Sequence, residues 1–128
     1  MNNDLKFKEL TDAVICCFYN VYNALGYGFL EKVYENSLLH ELAKRGISAS
    51  SQYPITVYYD EKVVGEYFAD LLVENNLILE IKAVKNILPE HEAQLLNYLK
   101  ATDIEVGLLL NFGPKPEIRR KVFDNKRK

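Results

Sequence analysis

Three charged residues lie in or directly after two otherwise apolar stretches of the sequence: Asp70 in residues 67–73, Glu80 in residues 77–81, and Lys82 directly after the second stretch. The turn-forming residues between the two stretches predict a β-hairpin, which can bring Asp70 close to Glu80. Because side chains alternate along a strand, Glu80 and Lys82 point to the same face of the sheet. The sequence therefore predicts that two carboxylates and a lysine converge at one end of a sheet.

Two neighbouring carboxylates repel each other, and a divalent cation is the usual compensation. Hard oxygen ligands suit Mg²⁺ or Mn²⁺ rather than zinc, and a lysine beside such a metal can hold or deprotonate the attacking water. The alternative is an ordinary ion pair between Glu80 and Lys82 on an exposed strand end, with Asp70 as a residue near the turn. An apolar setting is costly for uncompensated charges, so it favours the metal site.

Asp70 together with Glu80-Ile81-Lys82 resembles the core motif of the PD-(D/E)XK nuclease superfamily, although Ala69 stands where the motif has proline. Two further motifs, Gly28-x-x-Glu31-x-x-Tyr34 and Asn111-Phe112-Gly113-Pro114, are similar to one branch of it, the GxxExxY family. The resemblance extends over most of the chain. It implies a restriction-endonuclease-like core and a metal-dependent phosphodiesterase ancestry.

The second predicted helix, residues 30–45, carries two acids on its apolar side. Glu31 and Glu35 fall within the same arc of the helical wheel as Tyr34, so both are expected to be buried and to need partners. One possibility is a structural partner, such as a tyrosine or a backbone N–H. The other is that one acid faces the metal, as the first-helix glutamate does in related nucleases. Glu35 is the first choice for the metal side, and Glu31 is assigned a more structural role with Tyr34.

A later helix is predicted to begin at Pro89 and to end near Ala101. His91, Gln94 and Tyr98 lie together along the edge of its apolar stripe. Gln94 and Tyr98 resemble the Q-x-x-x-Y helix motif of exonuclease-like superfamily members, in which the two residues flank the active site and touch substrate or metal-bound water. His91 is the weaker candidate ligand, because a lone histidine is more often a surface or hydrogen-bonding residue.

The other elements are predicted from hydrophobic periodicity and turn residues. The fold class is α/β (α+β), a mixed β-sheet flanked by helices in the order α-α-β-β-β-α-β. Tyr53, Tyr58 and Tyr59 are interpreted as residues of a sheet face rather than as residues that stack on bases. The predicted elements are a first helix over residues 7–24, strands over residues 52–59, 63–73, 77–81 and 104–110, and a short closing helix over residues 117–123.

Length and composition indicate one compact domain over residues 1–128, with 48% hydrophobic and 27% charged residues. No apolar run approaches the roughly 20 residues that span a bilayer, and the N-terminus has no apolar signal core. We therefore expect a cytoplasmic protein without a membrane partner. Cys16 and Cys17 are adjacent on the first helix, and both are expected to be buried and reduced rather than a disulfide or metal pair.

The net charge of −2 does not indicate a nucleic-acid binder, but the charge is unevenly distributed. Residues 119–128 hold six basic residues against Asp124, a local charge of +5, which leaves −7 for the rest of the chain. A basic tail could contact phosphates with salt-dependent affinity. The alternative is a solvated and frayed C-terminus.

These features lead to the hypothesis of a small nuclease that hydrolyses phosphodiester bonds of nucleic acid, with DNA favoured. In this hypothesis Mg²⁺ (or Mn²⁺) binds Asp70, Glu80 and the carbonyl of Ile81, and Lys82 positions the water, with Glu35 and Gln94 in support. A homodimer could cover both strands of a duplex, but the sequence does not decide this. The alternative is a catalytically silent module with this fold that acts by binding nucleic acid or protein. The negative charge of residues 1–118 favours the module, and the intact set of two acids and a lysine favours the enzyme.

Overall fold

The computed structural model describes residues 6–128, and residues 1–5, part of the N-terminus in which no signal core is predicted, lie outside this range. The described chain forms three α-helices and five strands. They are α1 (Lys8–Leu25), α2 (Glu31–Lys44), β1 (Ala49–Tyr59), β2 (Lys62–Val73), β3 (Leu77–Lys82), α3 (Pro89–Lys100), β4 (Val106–Phe112) and β5 (Pro116–Val122), followed by a short 3₁₀ helix, Asn125–Arg127.

The five strands form one mixed sheet in the order β1-β2-β3-β4-β5. Only the pair β3 and β4 is parallel, and all other neighbours are antiparallel. A parallel pair needs a crossover connection, and α3 supplies it. The predicted class, a mixed sheet flanked by helices in the order α-α-β-β-β-α-β, is confirmed, with one further strand at the end.

Helices cover both faces of the sheet. On one face, α1 and α2 pack against alternate residues of the central strands, including Leu79 and Ile81 of β3. On the other face, α3 packs against Ile78 and Leu109. Because Glu80 alternates with Leu79 and Ile81, it lies on the α3 face of the sheet. Within the described residues, no helix is both long enough and apolar enough to cross a bilayer.

The predicted closing helix over residues 117–123 is wrong, because this segment is strand β5. Ile118 and Val122 are four residues apart, a spacing that suits one face of a helix and also one face of a strand. Both pack against the cluster under α1 and α2. The extended conformation is favoured because the backbone of this segment pairs with β4 over its whole length. This pairing covers an edge of β4 that would otherwise be unpaired.

The C-terminal segment is not frayed. Lys121 forms an ion pair with Glu92 at 2.8 Å, and the Nζ atom of Lys128 donates to the carbonyls of Thr102 and Ile104 at 2.7 and 2.8 Å. The charge of this segment is therefore partly engaged within the fold, although residues 125–128 are exposed to solvent.

The two cysteines also differ from their shared prediction. Both are free thiols, and Cys17 is buried as expected, but Cys16 is exposed. Adjacent helical residues point about 100° apart, so only one of the pair can face the core. The Nη2 atom of Arg45 donates to the sulfur of Cys16 at 2.9 Å.

Asn111, at the end of β4, holds the loop that leads from β3 to α3. Its side chain is fully buried, accepts a hydrogen bond from the Val84 N–H at 3.0 Å, and donates to the Val84 carbonyl and to Glu117, both at 2.9 Å. Glu117 in turn accepts from the Ile87 N–H at 3.2 Å. A Cβ atom at Gly113 would lie 2.2 Å from the Val84 carbonyl oxygen, so this contact requires glycine. The Asn-Phe-Gly-Pro motif thus fixes the loop that follows Lys82.

We predict that Asn111→Ala lowers the free energy of unfolding by about 2–4 kcal/mol, because it leaves buried backbone and carboxylate groups without partners. Chemical denaturation measures the change. Asn36→Ala, on the exposed side of α2, is the matched control and should change stability by no more than about 0.5 kcal/mol. Equal effects of the two substitutions would contradict this role for Asn111.

Candidate active site

Asp70 and Glu80 lie at the point where β2 and β3 separate. The ladder between these strands joins three residue pairs and ends at Leu71 and Leu79. The next position of the same register places Asp70 opposite Glu80. Here side chains replace the backbone ladder: the Asp70 N–H donates to Oε2 of Glu80 at 2.9 Å, and the Ile81 N–H donates to Oδ2 of Asp70 at 2.7 Å. The predicted convergence of the two acids is therefore present in the fold.

The pairing of β2 with β1 is interrupted at the same place. Gln52 lies opposite Asp70 but is not paired with it, and the backbone of Gln52 is left-handed, with a φ of 56°. Leu71 packs on the face of α1 and α2, whereas Ala69 and Leu72 both belong to the cluster under α3. Regular alternation would put Ala69 and Leu71 on the same face of the sheet. The alternation of β2 side chains is therefore shifted by one residue at Asp70, and we call this shift the change of facing.

Glu80 is buried beside the negative charge of Asp70, which is itself half-buried. Glu80 is only 4% exposed. Burial, the negative charge of Asp70 and a hydrogen bond between the two carboxyl groups raise the pKa of Glu80 to about 8, while the Asp70 N–H and the charge of Lys82 act in the opposite direction. Burial and the neighbouring carboxylate therefore disfavour the ionised form of Glu80 in the folded protein.

Lys82 lies two residues beyond Glu80 and therefore on the same face of β3. It is half-buried, and its charge lowers the pKa of Glu80, so its ammonium is close to the acid pair. In residues 6–128, Lys82 forms no ion pair within 4.0 Å. The lysine is thus beside the two acids but not bound by either of them.

Helix α3 brings Gln94 and Tyr98 to the same face. The Nε2 atom of Gln94 donates to the hydroxyl oxygen of Tyr98 at 2.9 Å. Burial and the charges of Glu80 and Asp70 raise the pKa of Tyr98, against the hydrogen bond from Gln94 that lowers it. The tyrosine hydroxyl is therefore near the acid pair, and Gln94 is one step further out.

Glu35 is buried, as predicted, but its partners are not the two acids. It is 4% exposed and accepts from the Nζ atom of Lys32 at 2.7 Å and from Nε2 of Gln52 at 3.3 Å. Within the described residues, no hydrogen bond or ion pair joins Glu35 to Asp70 or Glu80. Its connection to the site runs through Gln52, the residue opposite Asp70.

The predicted burial of Glu31 is wrong, because Glu31 is exposed in the first turn of α2. Tyr34 is fully buried and structural. Its hydroxyl donates to the Gly26 carbonyl at 2.8 Å and accepts from the Phe29 N–H at 3.2 Å. Its ring stacks on Phe112 with centroids 4.2 Å apart. Tyr34 therefore closes the α1–α2 connection onto the sheet.

His91 also has a structural partner. Its Nδ1 atom accepts a hydrogen bond from the Leu88 N–H at 3.0 Å, which caps the start of α3. This bond uses one of the two ring nitrogens, and no carboxylate of the acid pair contacts the ring in the described residues.

Sequence reasoning missed Gln52 and the clamp formed by Asn111 and Glu117. The position of Gln52 depends on a break in strand pairing, for which hydrophobic periodicity carries no signal. Asn111 had a signal, because a polar residue at the end of a fully buried strand needs internal partners. Glu117 was hidden by the incorrect helix over residues 117–123.

The residues present fit a hard divalent cation in their chemistry. Two carboxylates share a buried setting in which their combined charge is unfavourable, and carboxylate oxygens are the ligands that Mg²⁺ and Mn²⁺ prefer. In residues 6–128, no group of three or more His, Cys, Asp or Glu side chains is placed to hold a metal ion. The fit therefore rests on Asp70 and Glu80, with backbone oxygen or water completing the ligand shell.

A mixed sheet with helices on both faces, and with two acids and a lysine where its central strands separate, defines a nuclease-like fold of the restriction-endonuclease type. The family model described as the PD-(D/E)XK nuclease superfamily matches residues 8–121. The chain belongs to this superfamily.

One solved structure illustrates the fold. The protein titled "Crystal structure of SSO0001" superposes with a TM-score of 0.61 at 17% sequence identity. The match covers 94% of this chain and 61% of that one, so this chain spans about three fifths of the length of its structural neighbour. At this identity the likeness shows the fold alone. No curated protein matches the chain.

We predict that the metal-free protein loses stability as the pH rises from about 4.5 to 8. In this range the folded state binds a proton at Glu80 that the unfolded state has released, so the free energy of unfolding falls by up to about 1.4 kcal/mol per pH unit. Glu80→Gln removes the titration and should flatten the dependence. Thermal denaturation in a chelator across this pH range measures the difference. Glu66→Gln, at an exposed position of β2, is the control and should follow the wild type; a wild-type slope retained in Glu80→Gln would contradict the prediction.

Proposed function

We propose that this protein is a metal-dependent nuclease that hydrolyses phosphodiester bonds of nucleic acid, with DNA as the favoured substrate. The observation that supports the proposal is the acid pair itself, Asp70 and Glu80 bound to each other's strands with Lys82 on the same face. Membership of the superfamily supports the reaction class. The choice of DNA rests on the family resemblance alone.

The group required is Mg²⁺ or Mn²⁺. Asp70, Glu80 and the backbone carbonyl of Ile81 are the proposed ligands. When bound, the ion supplies Lewis acidity for the phosphate oxygens and lowers the pKa of a ligated water. Glu35 as a further ligand remains a prediction; its contacts support a role in holding Gln52 beside Asp70.

The protein side of the mechanism uses three side chains. Lys82 holds the attacking water by hydrogen bonding at Nζ and places positive charge near the phosphate. Tyr98 donates from its hydroxyl toward substrate or water on the α3 face, and Gln94 orients that hydroxyl. Burial of the acid pair keeps these interactions in a low-dielectric setting, where they are stronger than in water.

We further infer that the chain belongs to the GxxExxY branch of the superfamily. Tyr34 of this motif buries its ring against Phe112 of the Asn-Phe-Gly-Pro motif, so the two motifs meet in the fold. This contact supports reading them as one signature. Glu31 is the exposed member, and its role remains a prediction.

One observation favours a second candidate, the catalytically silent module. Part of the basic C-terminal segment is engaged within the fold rather than free for phosphates, as the Lys121–Glu92 pair illustrates. A cleavage assay with metal separates the nuclease from the silent module.

We predict that Mn²⁺ or Mg²⁺ raises the melting temperature of the wild type, because a ligand that binds only the folded state stabilises it by mass action. At an ion concentration 100 times the Kd, binding raises the free energy of unfolding by about 2.7 kcal/mol. Asp70→Asn should lose most of this gain. Asp60→Asn, in the exposed β1–β2 turn, is the matched control and should keep it. Each variant is compared with its own metal-free melting temperature, and equal gains in all three proteins would place the ion elsewhere.

We predict that the wild type cuts at least one of single-stranded, double-stranded or branched DNA or RNA in Mn²⁺ or Mg²⁺, and that a chelator stops the reaction. Lys82→Ala should lower the rate by about 10²–10⁴-fold, since the lysine serves the water and the transition state, and it should keep the thermal shift with metal. Lys85→Ala removes an exposed lysine three residues further on and should cut like the wild type.

Binding without cutting, unchanged by Lys82→Ala, would support the silent module. Cutting that survives both Lys82→Ala and Asp70→Asn would indicate a contaminating nuclease or another site.

A further inference from the structure

A groove of about 1010 Å³ lies between the outer part of the β1–β2 hairpin and helix α3. Beyond Asp70 the hairpin no longer pairs with β3, so its outer part extends past the main sheet. The hairpin lines the groove with Tyr58, Gly65 and Tyr67, and the helix lines it with Gln94, Asn97 and Tyr98. This volume is in the range of sites that hold small organic ligands.

Tyr67 presents a fixed aromatic surface in this groove. Its side chain is 48% exposed, yet its ring is held on two sides. The ring packs against Tyr98 with centroids 5.8 Å apart and an interplanar angle of 46°. It also lies over Gly65, where a Cβ atom would come within 3.2 Å of the ring. A half-exposed ring with little freedom loses little entropy when a flat ligand stacks on it.

The groove lies on the same face of the sheet as the acid pair, although neither acid lines it. Tyr98 lines the groove, and burial together with the charges of Glu80 and Asp70 raises the pKa of its hydroxyl, so this hydroxyl is near both acids. Gln94, bound to the Tyr98 hydroxyl, lines the same wall. A molecule lying on Tyr67 would therefore approach the two carboxylates along one surface of the protein.

We propose that an unpaired base of single-stranded nucleic acid stacks on Tyr67, so that the nucleic acid lies in this groove and reaches the acid pair from it. The inference rests on the proposed function and names its substrate class. Aromatic side chains stack on bases of any sequence, but only where the base faces are open. A duplex hides those faces, and its recognition relies on many phosphate contacts.

The charge of the groove agrees with a single strand. Lys100 is the lysine on its wall, beside the amides of Gln94 and Asn97, and Glu90 is also present. This mixture offers phosphates one cation and offers bases hydrogen-bonding groups and an aromatic ring. Stacking with few phosphate contacts is the mode that suits an acidic protein of net charge −2.

The experiment measures binding without turnover. Fluorescein-labelled single-stranded DNA and the matching duplex are titrated with protein in EDTA, and anisotropy gives each Kd. A second single strand carries 2-aminopurine, whose fluorescence reports stacking. The proteins are the wild type, Tyr67→Ala, Tyr67→Phe and Tyr59→Ala, the last being an exposed tyrosine of the same hairpin outside the groove lining.

We expect the wild type to bind the single strand more tightly than the duplex. Tyr67→Ala should weaken single-strand binding by about 10-fold and remove the 2-aminopurine signal. Tyr67→Phe keeps the ring and should bind like the wild type, as should Tyr59→Ala. Gly65→Ala, which pushes against the ring, should weaken binding without deleting any aromatic group. Melting temperatures within about 2 °C of the wild type would show that the variants remain folded.

Two results would overturn the inference: equal or tighter binding of the duplex, or single-strand binding that is the same in Tyr67→Ala and the wild type. Either result leaves the proposed nuclease standing if metal-dependent, Lys82-dependent cutting is seen. Conversely, Tyr67-dependent binding of the single strand without any cutting would support this groove and count against the enzyme.

Discussion

Two hydrogen bonds at the point where β2 leaves β3 hold the arrangement of this protein together. The Asp70 N–H binds the Glu80 carboxylate, and the Ile81 N–H binds the Asp70 carboxylate, at 2.9 and 2.7 Å. A strand that separates from its neighbour inside a protein leaves backbone donors without partners, which is costly. The two acids satisfy those donors themselves. The separation of the strands and the position of the acid pair are thus one structural feature.

This solution has an electrostatic cost that the fold does not remove. The N–H groups stabilise ionised carboxylates, but burial and mutual repulsion act more strongly, and the pKa of Glu80 is raised. Lys82 is near enough to lower that pKa but forms no ion pair in the described residues. A lysine that closed onto the acids would relieve the repulsion and would also block the site. The strain left at the pair is the kind of local instability that functional sites retain.

The sequence predicted those parts that follow from local pattern. The hairpin spacing anticipated that Asp70 meets Glu80, and strand alternation put Ile81 on the opposite face. The helical wheel correctly predicted that Glu35 is buried, but a helical wheel gives only the direction of a side chain from the helix axis. Glu31 shares that direction but lies in the first turn of α2 and is exposed. Tertiary pairing decided the rest: β5 forms because β4 has an open edge, and Gln52 matters because the pairing of β1 with β2 is interrupted opposite Asp70.

The same change of facing in β2 connects the acid pair to the groove. Leu71 and Val73 face α1 and α2, whereas Ala69 and Tyr67, also at odd positions, face α3. A regular strand would have carried Tyr67 to the other side of the sheet, away from Glu80. Asp70 itself keeps the face of Leu72 by regular alternation, which is also the face of Glu80. The switch at Asp70 therefore acts on the outer hairpin, which it turns so that its aromatic ring lies on the face where the acids are. An insertion or deletion of one residue between Tyr67 and Asp70 would move the ring to the opposite face without moving the carboxylate.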